Sequence, residues 1–146
     1  MKKFLFLSIF FISSLFGESL FTLDGVKNLN FYLANKTTFL GAKEKKEIES
    51  LVKEELEENG FTFGEVDAII LVLAISSKEV EEKQVVNIDF ILAEEVTAHR
   101  EEDVKTFANT YQMSELIATD EAYEETLEMI KIMLHQFIKS HKEDNK

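Results

Sequence analysis

The chain has 146 residues with 28 acidic against 16 basic side chains, a formal net charge of −12, and no cysteine, proline or tryptophan. That length supports one domain with a single core that needs no disulfide or metal staple. The carboxylate surplus repels phosphate backbones and anionic membrane surfaces, which argues against nucleic acid as a partner.

Residues 1–19 read as a secretory signal peptide. Lys2 and Lys3 form the basic start, Phe4 to Phe16 an apolar core broken only by serines, and Gly17 and Ser19 the small residues for cleavage after Ser19. Cleavage after Gly17 is the alternative. The apolar stretch is shorter than the roughly 20 residues a helix needs to span a bilayer, and no cysteine follows it to carry a lipid. The expectation is an exported bacterial protein, periplasmic or secreted, with no membrane span after cleavage. Residues 20–146 then form one domain, with 139–146 as a frayed tail.

Val26 to Ala34 holds the first predicted strand, introduced by Asp24-Gly25. Leu29, Phe31 and Leu33 share one face, and Asn28, Asn30 and Tyr32 the other. A helix follows over 41–59. Ile48, Leu51, Val52 and Leu56 form its apolar stripe, and Asn59-Gly60 supplies a left-handed stop. Its charges oppose the macrodipole, with Lys43, Lys45 and Lys46 near the start and Glu54, Glu55, Glu57 and Glu58 near the end. Packing of the stripe must therefore outweigh a few tenths of a kcal/mol per charge. Phe61-Thr62-Phe63 is a short strand leading into Gly64.

Ala68 to Val96 predicts the hairpin around which the domain is organised. Its first arm, Ala68–Ile75, is an unbroken apolar run rich in β-branched residues. The second arm alternates, with Val86, Ile88, Phe90 and Leu92 pointing one way and Asn87 and Asp89 the other. Ser76–Gln84, carrying Glu79, Glu81 and Glu82, is the solvated end between them. Past the charged turn His99–Asp103, a strand over Val104–Met113 puts Phe107, Tyr111 and Met113 on one face. Thr119-Asp120 then caps a helix over 120–140, whose stripe is Tyr123, Leu127, Ile130, Leu134 and Phe137.

Chemistry-bearing patterns are sparse. His135 and His141 are six apart, which is not a same-face spacing for a metal pair. Met129, Met133 and His135 raise the idea of a soft copper site, but core packing accounts for the methionines among Ile130, Leu134 and Phe137. The adjacent carboxylates Glu94-Glu95, Glu101-Glu102 and Glu124-Glu125 point in different directions and form no acid–base pair. Nucleophile elbows, Ser-x-x-Lys spacing, calcium loops and phosphate-cradling glycines are absent from the sequence. The expectation is a protein that is not an enzyme and uses no cofactor or metal.

The element order β-α-(β)-β-β-β-α predicts an α+β fold. It comprises a single antiparallel β-sheet of four to five strands with two amphipathic helices packed on one face. In that order and helix placement the chain resembles small bacterial envelope proteins of the LPS-assembly lipoprotein type, though without the lipidated cysteine. The resemblance implies an envelope-associated protein and transfers no functional residue.

Within the apolar run, Ile69, Leu71, Leu73 and Ile75 face the helices. Ile70, Val72 and Ala74, joined by Ile91, then lie on the opposite face, where a one-sided sheet normally turns polar groups to water. These four residues are the candidate partner-binding surface. The expected function is a periplasmic accessory or assembly factor that binds an envelope protein, or a second copy of itself, through the sheet. The alternative is a periplasmic carrier holding a small hydrophobic ligand or lipid between sheet and helices.

Overall fold

A computed structural model describes residues 22–66 and 68–146. The expected signal peptide lies outside the described residues. In chain order the elements are β1 (Asn28–Lys36), α1 (Ala42–Glu58), β2 (Thr62–Phe63), β3 (Ile69–Val80), β4 (Lys83–Ala98), β5 (Val104–Thr119) and α2 (Ala122–Asp144). The α+β class and the element order agree with the expectation, and the strands form one five-stranded sheet in the order β2-β1-β3-β4-β5.

The sheet is mixed rather than antiparallel. β1 runs parallel to both β2 and β3, while β3–β4 and β4–β5 are antiparallel. The reason is the first helix. At 1.5 Å per residue the 17 residues of α1 cover about 25 Å, close to the length of β1, and return the chain to the end where β1 began. β2 therefore starts alongside Asn28, and the short 64–68 link crosses past Asn30 to start β3 alongside Leu29. Antiparallel pairing begins only where true hairpins do.

α1 ends as its Asn59-Gly60 pair predicts. Gly60 sits at φ 92°, the Gly60 N–H donates to Glu57 O (3.0 Å), and the Phe61 N–H donates to Leu56 O (3.1 Å). This is a Schellman closure, and Phe61 and Leu56 are both buried, as its hydrophobic contact requires. The start of α2 differs from the prediction. Its N-cap is Glu121, without a side-chain cap, and the Thr119 hydroxyl instead accepts the Glu121 N–H at 2.9 Å from the last position of β5.

The core lies between the helices and one sheet face. Leu29, Leu71, Leu73, Ile75, Val86, Ile88, Phe90 and Leu92 supply the sheet side; Ile48, Val52 and Leu56 of α1 and Ile130, Met133, Leu134 and Phe137 of α2 supply the other. Phe137 is the meeting point of three rings, with centroids 5.0 Å from Phe90, 5.4 Å from Tyr111 and 5.6 Å from Phe61. Such contacts add about 0.5–1.5 kcal/mol each beyond area burial.

The tail expected to fray over 139–146 is instead helical to Asp144. It is stitched to the first described residues. The Leu23 N–H donates to Asp144 Oδ2 (2.7 Å), the Gly25 N–H to Asn145 Oδ1 (2.9 Å), Asn145 Nδ2 to Leu23 O (2.9 Å) and His141 Nε2 to Val26 O (2.6 Å). Backbone groups that no strand or helix satisfies at one end of the domain are thus satisfied by side chains from the other.

The β3–β4 turn is tighter than predicted. The strands run on through Ser76–Val80 and Lys83–Gln84, leaving the two-residue loop Glu81-Glu82 at φ 49° and 68°. Two positive φ values in a two-residue loop suit Asn-Gly, and each glutamate there carries steric strain. Replacing Glu81 with Asn and Glu82 with Gly should stabilise the domain by about 1–2 kcal/mol, read as a rise of a few degrees in Tm by calorimetry. Replacing fully buried Leu71 with Ala should cost about 2–5 kcal/mol in a urea titration. A smaller loss would mean that the centre of the sheet repacks freely.

Candidate functional site

Alternation along the strands builds the sheet face that the helices leave uncovered. In register, one row joins Asn30, Ile70, Ala93 and Asn109; the next joins Tyr32, Val72, Ile91 and Gln112; a third joins Ala34, Ala74, Asp89 and Ser114. All four sequence-predicted residues, Ile70, Val72, Ala74 and Ile91, fall on this face and are half-buried. Neighbouring strands bury their flanks, and neither helix lies over them. Ile70, Val72 and Ile91 make a continuous apolar strip across β3 and β4, with Ala74 at its polar margin.

That margin is a hydrogen-bonded chain. Asn87 Nδ2 donates to Asp89 Oδ2 at 2.7 Å, the Ser114 hydroxyl to Asp89 Oδ1 at 2.5 Å, and Gln112 Nε2 to Ser114 Oγ at 3.3 Å. Both oxygens of the Asp89 carboxylate are thereby engaged. The charge is held in place, and the apolar strip ends at a defined polar edge.

Sequence reasoning missed two rings that border the strip. Tyr32 was read onto this face but not singled out, and it is 59% exposed. Phe107 was expected on one face with Tyr111 and Met113, yet those two turn to the core while Phe107 is 65% exposed on the open face. A β-bulge is the cause. Leu92 pairs with Tyr111 but Ala93 pairs with Asn109, so Thr110 is an extra residue in β5 and the alternation changes sides there. Tyr111 and Met113 keep to the core, while Phe107 and Lys105 turn to the open face. The local sequence Asn109-Thr110-Tyr111 holds no glycine or other signal of this insertion.

Tyr32 and Phe107 line one cleft of about 550 Å³, whose floor and walls include Ala68, Ile69 and Ile70 with Asn30, Glu94, Glu95 and Lys105. Lys105 Nζ donates to Glu95 Oε1 at 2.7 Å, and that bond, then the carboxylate's charge, raise the lysine pKa. The Asn30 side-chain amide donates to Glu65 O at 3.4 Å, tying the 64–68 link to the rim. Opposite, in the core, burial raises the Tyr111 phenol, and a hydrogen bond with Ser140 works against that rise. The cleft opens where β3 stops. β4 and β5 continue as a two-stranded ribbon from Glu94 to Ala98 and Val104 to Ala108, closed by the His99–Asp103 turn. The His99 Nδ1–Asp103 Oδ1 contact across that turn is 2.9 Å.

Among the described residues no group of three or more His, Cys, Asp or Glu is placed to hold a metal ion. Met133 is buried in the core, Met129 is half-buried against it, and His135 is exposed. No helix of the described residues is long and apolar enough to cross a membrane. No family model matches the chain, and no curated protein matches it.

The bulge separates two neighbouring aromatic positions sharply. Replacing Phe107 with Lys should change stability by no more than about 0.5 kcal/mol, because the side chain already stands in water. Replacing Tyr111 with Lys should bury a charge against Phe137 and leave little folded protein. Circular dichroism melts of the two variants compare them directly. Equal losses would place Phe107 in the core and remove the bulge.

Proposed function

We propose that this chain is an exported, non-catalytic bacterial envelope protein. In this reading it is a periplasmic accessory or assembly factor that binds a protein partner, or a second copy, through the open sheet face. The carrying observation is the strip of Ile70, Val72 and Ile91, bordered by the exposed rings of Tyr32 and Phe107, on a face that neither helix covers. Burying each such side chain contributes about 1.5–3 kcal/mol, and aromatic anchors beside an apolar centre are the usual energetic focus of an interface. The export part of the reading rests on Lys2, Lys3 and the apolar run Phe4–Phe16. The likeness to envelope proteins of the LPS-assembly lipoprotein type is consistent with it. The alternative, a carrier of a small hydrophobic ligand between sheet and helices, draws no support from the core. Phe61, Phe90 and Tyr111 close on Phe137 there, and the central side chains are fully buried.

One experiment tests the reading. The full chain, expressed in a bacterial host, is recovered from the periplasm, its N-terminus sequenced, and its assembly followed by ultracentrifugation and cross-linked capture beside a Val72→Lys variant. The expected N-terminus is Glu18 or Leu20. The wild type should assemble or capture a partner, and the variant should lose this by tenfold or more while its circular dichroism is unchanged, since a lysine on this face reaches water. Retention of Met1 on cytoplasmic protein would remove the export reading. Undiminished assembly by the folded variant would remove the docking surface.

A further inference from the structure

The two exposed aromatic side chains of the described residues, Tyr32 and Phe107, line the same cleft, and they do so beside the Glu95 carboxylate. Phe107 stands directly across from Glu95 in the β4–β5 register. Cross-strand partners have Cβ atoms about 5 Å apart, so a flat cation laid on the Phe107 ring also reaches the Glu95 carboxylate. Lys105 is the one basic residue lining the cleft, and Glu95 engages it, so an incoming cation competes with Lys105 for that carboxylate. The other strand lysines on this face, Lys36, Lys78 and Lys83, lie towards its far end; Lys36 is six residues along β1 from Asn30, about 20 Å away. Lys83 moreover pairs with Asp120 at 3.7 Å. A net charge of −12 draws basic partners to the chain as a whole, and this cleft adds the ring and apolar floor that pick out one kind of cation.

From this, and resting on the docking surface proposed above, we infer that the cleft receives an extended, arginine-bearing segment of a partner protein. A guanidinium lies on Phe107 against Glu95, and an apolar side chain lies between Ile70 and Tyr32. Arginine suits the site better than lysine because its planar group stacks on a ring while it donates hydrogen bonds in the same plane. From β5 to β1 is three strand spacings, about 15 Å, which an extended segment of about five residues covers.

The probe is the palindromic peptide acetyl-Arg-Leu-Thr-Leu-Arg-amide, titrated into the isotope-labelled protein at low salt and followed by NMR. The arginine peptide should shift the signals of Phe107, Tyr32 and Ile70, and its citrulline counterpart should bind at least tenfold more weakly. Phe107→Ala and Glu95→Gln should each weaken binding tenfold or more. Lys105→Gln, which frees Glu95, should tighten it severalfold, an effect that loss of packing alone would not produce. Citrulline binding as tight as arginine, shifts confined to the acidic face of α1, or a Lys105→Gln variant that binds no better would each overturn the inference. So would spermidine occupying the same residues as tightly, since the site would then select a free amine rather than a peptide. If the peptide fails while Val72→Lys still abolishes partner capture, the docking surface stands and only the arginine specificity falls.

Discussion

Phe137 is the side chain on which the arrangement of layers depends. It projects from α2 into the rings of Phe90 on β4, Tyr111 on β5 and Phe61 at the turn leaving α1. One residue thereby fixes the last helix against two strands and against the end of the first helix. Phe61 in turn lies 4.4 Å from the His141 ring, and His141 holds the Val26 carbonyl. A continuous chain of contacts therefore runs from the centre of the sheet to the first described residues. α2 is positioned along its length, which is why its last turn is ordered.

That packing commits one sheet face to the helices and leaves the other without them. A five-stranded sheet with two helices has enough helix surface to cover one side only, so every residue of alternate parity on β3 and β4 must face away. On β4 the outward side turns polar at Asn87 and Asp89, with Ser114 of the neighbouring strand holding the carboxylate. On β3 it stays apolar through Ile70 and Val72. The proposed docking surface is thus a consequence of the order of strands. β3 lies between two partners and reads as a buried strand, although only one of its faces is covered by helices.

Two local irregularities shape the ends of this surface. The bulge at Thr110 moves Phe107 outward, and the extension of β4 and β5 beyond β3 opens the cleft beneath it. At the opposite end the Glu81-Glu82 turn closes β3 onto β4 with two left-handed glutamates. Here strand pairing on both sides overrides local preference, because the closing pair Val80–Lys83 and the register behind it determine how many residues remain for the turn.

Much of the architecture could be read from residue pattern alone. The 3.6-residue stripes of Ile48–Leu56 and Tyr123–Phe137, the Asn59-Gly60 stop and the alternation of Val86–Leu92 determine element type and order, since each is a property of neighbouring residues. Ile70, Val72, Ala74 and Ile91 were placed on the correct face for the same reason. Strand direction was not legible, because it depends on how far α1 carries the chain back along β1. Phe107 was misplaced because a bulge is a mismatch between two strands, and alternation within one of them carries no trace of it. The ordered tail was equally hidden. His141, Asp144 and Asn145 look like a polar end until the fold brings Leu23, Gly25 and Val26 within hydrogen-bonding distance. Periodicity within a segment thus determined which residues form each element, and pairing between segments distant in sequence decided what each element meets.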